Sequence, residues 1–140
     1  MNWVDGYKAT DPASKAAGEN GNADCTVRAW ANCFDAPYSS SHAWMKKHGR
    51  RNNKGMTYGE VVKALKACKK AKIRIGPYSY KNRITVKQFC AKHNVGRYYV
   101  LSKGHAYCIK DGVVHDYKYG GGRQITLAAR VYLEGEYAKT

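Results

Sequence analysis

At 140 residues the chain is long enough to bury one core and too short for two independent ones, so a single domain over residues 1–140 is expected. Its 44% hydrophobic and 25% charged residues exclude a disordered tail, and no apolar run approaches the roughly 20 residues that a membrane-spanning helix needs. The excess of 25 Lys and Arg over 10 Asp and Glu, a net charge of +15, calls for a polyanionic partner without choosing between nucleic acid, an acidic protein and an anionic polymer.

The stretch from Met1 to Ala23 has no apolar leader and reads as no secretion signal, which points to the cytoplasm. From Asp24 to Phe34, Val27, Trp30, Ala31 and Phe34 recur at helical spacing, with Asp24 as the expected N-cap and Cys25 in the first turn. A second helix is predicted after Ser39–Ser41, running toward His48, and the basic run Lys46–Gly55 reads as a solvated loop. Thr57 and Glu60 form a capping-box pattern ahead of Val61, Val62 and Leu65, predicting a third helix through Lys70. Ile73–Ile75 reads as a short strand, and Thr85 caps a fourth helix whose Val86, Phe89, Cys90 and His93 share a face. Beyond Gly96, three apolar stretches, Tyr98–Leu101, Ala106–Ile109 and Val113–Tyr119, predict successive strands. Asp111-Gly112 between the last two is a hairpin turn signal, because a type I′ turn needs positive φ at both positions. Ile125–Leu133 predicts one more strand.

Five cysteines, an odd number without an export signal, argue for reduced thiols rather than a disulfide framework. The absence of a Cys-x-x-Cys pair argues against a metal, and no cofactor motif is present. Cys25 alone has the placement that favours a thiolate, at the positive end of a helix dipole, whereas Cys33, Cys68 and Cys90 read as core thiols. If Asp111 and Gly112 form the turn, Lys110 pairs with Val113, Cys108 with His115 and Tyr107 with Asp116. His105 and Asp116 then share one face as diagonal neighbours, while His115 falls on the other face with Cys108. Cys25, His105 and Asp116 thereby supply a nucleophile, a base and a group to orient the base. Asn20 and Asn22, just upstream of the cysteine, are candidate donors to an oxyanion.

The runs NADCTVRAWANC (residues 22–33) and GRYYVLSKGHAYCIKDGVVHDY (residues 96–117) resemble the papain-like cysteine peptidases, particularly small phage and bacterial members. The resemblance implies an α+β fold with N-terminal helices packed on a C-terminal antiparallel sheet. It also implies a thiolate–imidazolium pair that attacks amide or isopeptide bonds, with the roles falling on Cys25, His105 and Asp116. A phage-encoded chain would work in the host cytoplasm, on an acidic protein or peptide drawn in by the positive charge. Many relatives carry Gln six residues before the nucleophile as the oxyanion donor, and here that position is Glu19, so the role is expected to pass to Asn20 or Asn22. The competing class is a non-catalytic module of degenerate papain-like fold that binds nucleic acid or a virion component through its charge. Tyr78, Tyr80, Lys81 and Arg83 interleave rings and cations in a way compatible with single strands.

Overall fold

The computed structural model describes residues 2–21 and 23–133. In chain order the elements are β1 (Trp3–Asp5), α1 (Asp11–Ala16), α2 (Cys25–Phe34), α3 (Tyr38–Lys47), α4 (Tyr58–Ala67), β2 (Ala71–Ile75), β3 (Ile84–Thr85), α5 (Val86–Lys92), β4 (Arg97–Ser102), β5 (His105–Lys110), β6 (Val113–Asp116) and β7 (Gln124–Leu133). The class is α+β, built on a sheet of order β1-β6-β5-β4-β7-β2 with β3 also on β7. Every pairing is antiparallel except β1 on β6, so the sheet is mixed rather than purely antiparallel, and it recruits its first strand from the N-terminus. No helix among the described residues is long and apolar enough to cross a membrane.

The local signals act as their chemistry requires. Thr57 and Thr85 each accept a hydrogen bond from the backbone N–H three residues on, and Glu60 and Gln88 reach back to complete the two capping boxes. α4 stops at Ala67 rather than Lys70, because Cys68 turns extended to lead into β2. At the β5–β6 turn Asp111 and Gly112 have φ of 49° and 75°, the type I′ conformation, and Lys110, Ile109 and Cys108 pair with Val113, Val114 and His115.

Two apolar clusters cover the two faces of the sheet. Helices α2, α3 and α4 pack Val27, Trp30, Met45, Val61 and Leu65 against Tyr99, Leu101, Ala106, Cys108 and Leu127. On the opposite face Val86 and Phe89 of α5 pack with Tyr98, Val100, Tyr107, Ile109 and Val114. Residues on alternate sides of β4 and β5 thus divide cleanly between the layers, as the two-residue period of a strand demands. This division decides where the functional side chains meet. α2 lies on the Ala106–Cys108 face, whereas His105 shares a side with Tyr107, whose ring stacks on it at 5.4 Å. A side chain on the far face can reach α2 only around the end of the sheet, and His105 is the first residue of β5.

Candidate active site

Cys25 is the first residue of α2, whose opening turn contains no acidic residue. The preceding Asp24 makes no capping bond, contrary to the expectation from sequence. Its carboxylate is instead buried, accepting from Ser14 Oγ (2.7 Å), Tyr38 Oη (2.7 Å) and Arg28 Nε (3.0 Å). Three donors outcompete one backbone N–H, and the Arg28 charge offsets the carboxylate beside the thiol. Arg28 is itself 2% exposed, bonds Asp11, Thr10 Oγ1 and the Tyr7 carbonyl, and lies 4.1 Å over the Tyr7 ring. The Asp-Cys-x-x-Arg spacing therefore clamps the start of α2 to the N-terminal segment.

The hairpin delivers His105 and Asp116 to the same place. His105 Nε2 lies 2.7 Å from Asp116 Oδ2, and the imidazole lines the same two cavities as Cys25. Because Nε2 is taken by the carboxylate, Nδ1 is the nitrogen left for another partner. Burial pulls the imidazolium down, but the bonds to Asp116 and Cys25 and the charges behind them prevail, raising the His105 pKa from 6.5 to about 9. Asp116 is fully buried and is steadied further by Arg123, whose Nη1 donates to Oδ2 at 3.2 Å while Nη2 donates to Tyr117 Oη at 2.8 Å. Its backbone carbonyl accepts from Trp3 Nε1 (2.8 Å) and Gly6 N (3.0 Å), so β1 braces the carboxylate from behind. A Cβ on Gly6 would lie 2.8 Å from the His115 carbonyl carbon and 3.0 Å from Asp116 N, so glycine is needed for this approach.

Glu19 does not face the thiol. Its side chain is buried in a network with Arg50 Nη1 (3.0 Å) and Nη2 (2.7 Å), His42 Nε2 (2.9 Å) and the Asn53 N–H (3.0 Å). The Arg50 bond, the His42 bond and the backbone N–H outweigh desolvation and lower the Glu19 pKa from 4.5 to about 2. At the position where papain-like peptidases carry Gln, Glu19 is thus half of a structural ion pair, and Arg50, placed by sequence in a solvated loop, is 3% exposed. Asn20 is exposed, and its N–H donates to Asn53 Oδ1 at 2.7 Å. Gly21 rather than Asn20 lines the cavity beside Cys25, and Asn22 lies outside the described residues.

Two cavities flank the Cys25–His105 pair. One, of about 220 Å³, is walled by Met56, Tyr58, Val61, Leu101 and Ala106. The other, of about 620 Å³, is polar and is lined by Tyr7, Gly21, Lys103, Tyr117 and Arg123. Burial and the nearby charges of Cys25 and Asp116 raise the Tyr7 phenol, so it stays protonated as a donor. His115 is paired with Cys108 on the other face, and burial among Lys110 and Arg97 lowers it to about 4. Cys33, Cys90 and Cys108 are buried, and burial pushes the Cys33 and Cys90 thiols up. Among the described residues, no group of three or more His, Cys, Asp and Glu is arranged to hold a metal.

Tyr7, Gly21 and Arg123 were not singled out from sequence as site residues. Arg123 follows a glycine cluster and reaches back seven residues to Asp116, a contact that no periodicity encodes. Scans against family models, curated proteins and solved structures return no match to this chain.

Proposed function

We propose that this protein is a cysteine-dependent hydrolase of papain-like type, cleaving a peptide or isopeptide bond through an acyl-enzyme on Cys25. The observation that carries the reading is His105, held by Asp116 through Nε2 and lining the same two cavities as Cys25, the first residue of a helix. In the reaction the Cys25 sulfur attacks the substrate carbonyl carbon and the carbonyl electron pair moves to oxygen. The backbone N–H of Cys25, at the start of the helix, and a donor from the Asn20–Gly21 stretch stabilise that oxygen. The C–N bond then breaks as the imidazolium proton passes to the leaving nitrogen, leaving a thioester. Water attacks the thioester, His105 takes its proton, and the C–S bond breaks to release the acid and regenerate the pair.

The decisive comparison is between Cys25 and Cys68, the two cysteines that are partly exposed. With iodoacetamide near neutral pH, Cys25 is expected to alkylate at least about ten-fold faster than Cys68. His105→Ala brings it down toward the Cys68 rate, while His115→Gln leaves it unchanged. Equal rates for the two thiols in the unmodified chain defeat the activated-nucleophile reading. Hydrolysis itself is read by incubating the full chain with a proteome-derived peptide library. New termini that vanish in Cys25→Ala support it, and none from the unmodified chain refutes it.

A further inference from the structure

The two cavities flanking Cys25 differ in character. The smaller is walled by Met56, Val61 and Leu101 and contains no Lys or Arg, whereas the larger presents Lys103 and Arg123. The larger one adjoins a third cavity of about 200 Å³ that shares Lys103 and Arg123 with it and adds Arg83. No Asp or Glu lines any of the three. Both guanidinium groups are held in place. Arg83 donates to the Tyr80 carbonyl (2.8 Å) and Gln124 Oε1 (3.2 Å), and Arg123 to Asp116 and Tyr117 Oη. Each keeps N–H donors that these bonds do not use. Lys103, two residues before His105 in the β4–β5 turn, is exposed and makes no ion pair among the described residues. Four cations away from the thiol have acidic partners, Arg28 with Asp11 and Asp24, Arg50 with Glu19, and Arg97 and Lys110 with Asp35, so the few carboxylates of the fold are largely taken up there. What sets Lys103, Arg83 and Arg123 apart from the other surface cations is that they converge on adjoining cavities, one of them lined by Cys25, whose walls contain no carboxylate.

We infer that Lys103, Arg83 and Arg123 form a carboxylate-binding subsite, so that the substrate is a peptide carrying a carboxylate a few residues from the bond attacked by Cys25. The inference rests on the hydrolase reading above and adds the substrate class to it. Arg123 serves twice, steadying Asp116 with one edge and facing the substrate carboxylate with the rest of its fork. An Asp or Glu side chain and a peptide C-terminus present the same carboxylate chemistry to this subsite.

The test compares an anionic with a neutral alkylating agent on the full chain. The ratio of Cys25 rate constants with iodoacetate and iodoacetamide, each displacing iodide by the sulfur, is taken relative to the same ratio for free cysteine. It is expected to exceed one and to fall about five-fold in Lys103→Gln/Arg83→Gln, with the iodoacetamide rate itself little changed. The pair Lys66→Gln/Lys92→Gln, which lines none of the three cavities, leaves the ratio near that of the unmodified chain. A ratio insensitive to Lys103 and Arg83, or one that falls equally in the distant pair, overturns the subsite. A Cys25 that is no faster than Cys68 with iodoacetamide counts against the nucleophile instead, and the ratio is still measurable on such a thiol. Millimolar acetyl-Gly-Glu-Gly-amide protecting Cys25 from iodoacetamide, where acetyl-Gly-Gln-Gly-amide does not, assigns a side-chain carboxylate. Protection by acetyl-Gly-Gly-Gly with a free C-terminus assigns a terminal one. Protection by neither refutes a peptide ligand.

Discussion

Glu19→Gln introduces the residue that papain-like peptidases carry at this position, yet in this chain it should destabilise the fold and leave Cys25 no more reactive. Glu19 and Arg50 are an almost fully buried pair, with side chains 0% and 1% exposed. Neutralising one member strands the other charge in a poorly solvating environment, at a cost of about 3–5 kcal/mol. For 140 residues, roughly 2.1 cal/mol/K per residue gives an unfolding entropy of about 0.3 kcal/mol/K, so the melting temperature should fall by about 10–17 °C. The pH dependence supplies an independent check. A carboxylate depressed from 4.5 to about 2 stabilises the fold fully above 4.5, and that contribution is lost as pH falls from 4.5 toward 2. The gap between the two proteins should therefore close over that interval, because the protonated Glu19 then resembles Gln. Glu19→Gln/Arg50→Met, which removes both charges, should recover more than half of the loss. Scanning calorimetry from pH 2 to pH 7 reads all of this. A Glu19→Gln melting temperature within a degree or two of the parent at neutral pH refutes the buried-pair argument. A ten-fold rise in Cys25 alkylation shows that the carboxylate acts on the thiol after all.

Two further substitutions test the bracing of Asp116. In an NMR titration the His105 ring should change state near pH 9, and Asp116→Asn should bring that transition down by at least one unit toward 6.5, because it removes the charge that holds the proton. The stabilisation from this raised pKa is complete below 6.5 and disappears as pH rises through about 9, so Asp116→Asn should flatten the alkaline side of the stability profile. Gly6→Ala should cost about 1–3 kcal/mol in urea unfolding, since its Cβ meets backbone that can yield only by moving β1 off β6. The Trp3 emission should shift with it as the indole loses the Asp116 carbonyl, and an unshifted spectrum with unchanged stability would refute that role for β1.

Much of this arrangement was legible in the sequence wherever the determinant was local. The two capping boxes, the Asp111-Gly112 turn and the alternation along β5 and β6 each depend on residues within a few positions of one another. Together they place Asp116 and His115 on opposite faces of the hairpin. Long-range choices were not legible. β1 is three residues long and parallel, too short for any alternation to show, and its partner lies more than a hundred residues away. α1 is six residues long with a proline in its first turn, below the length at which a helical stripe can be recognised. Asp24 matched the statistical profile of an N-cap, but Tyr38 and Ser14 recruit its carboxylate, and a profile cannot anticipate which donors will compete. Arg50, read as part of a solvated basic run, is buried because Glu19 is there to meet it. The same distant partner made Glu19 look like a defect in an oxyanion hole rather than half of an ion pair.

The strand order also bears on how copies of the chain behave together. β2 stands at one end of the sheet, and its Lys72 and Arg74 are exposed. Cations on an edge strand discourage a second molecule from extending the sheet there, a safeguard made of charge rather than shape. Its reach shrinks with the Debye length, from about 10 Å in 0.1 M salt to about 3 Å at 1 M. Concentrated salt therefore weakens this repulsion between edge strands, together with the attraction proposed for an anionic ligand at the cleft. Purification in dilute buffer preserves both.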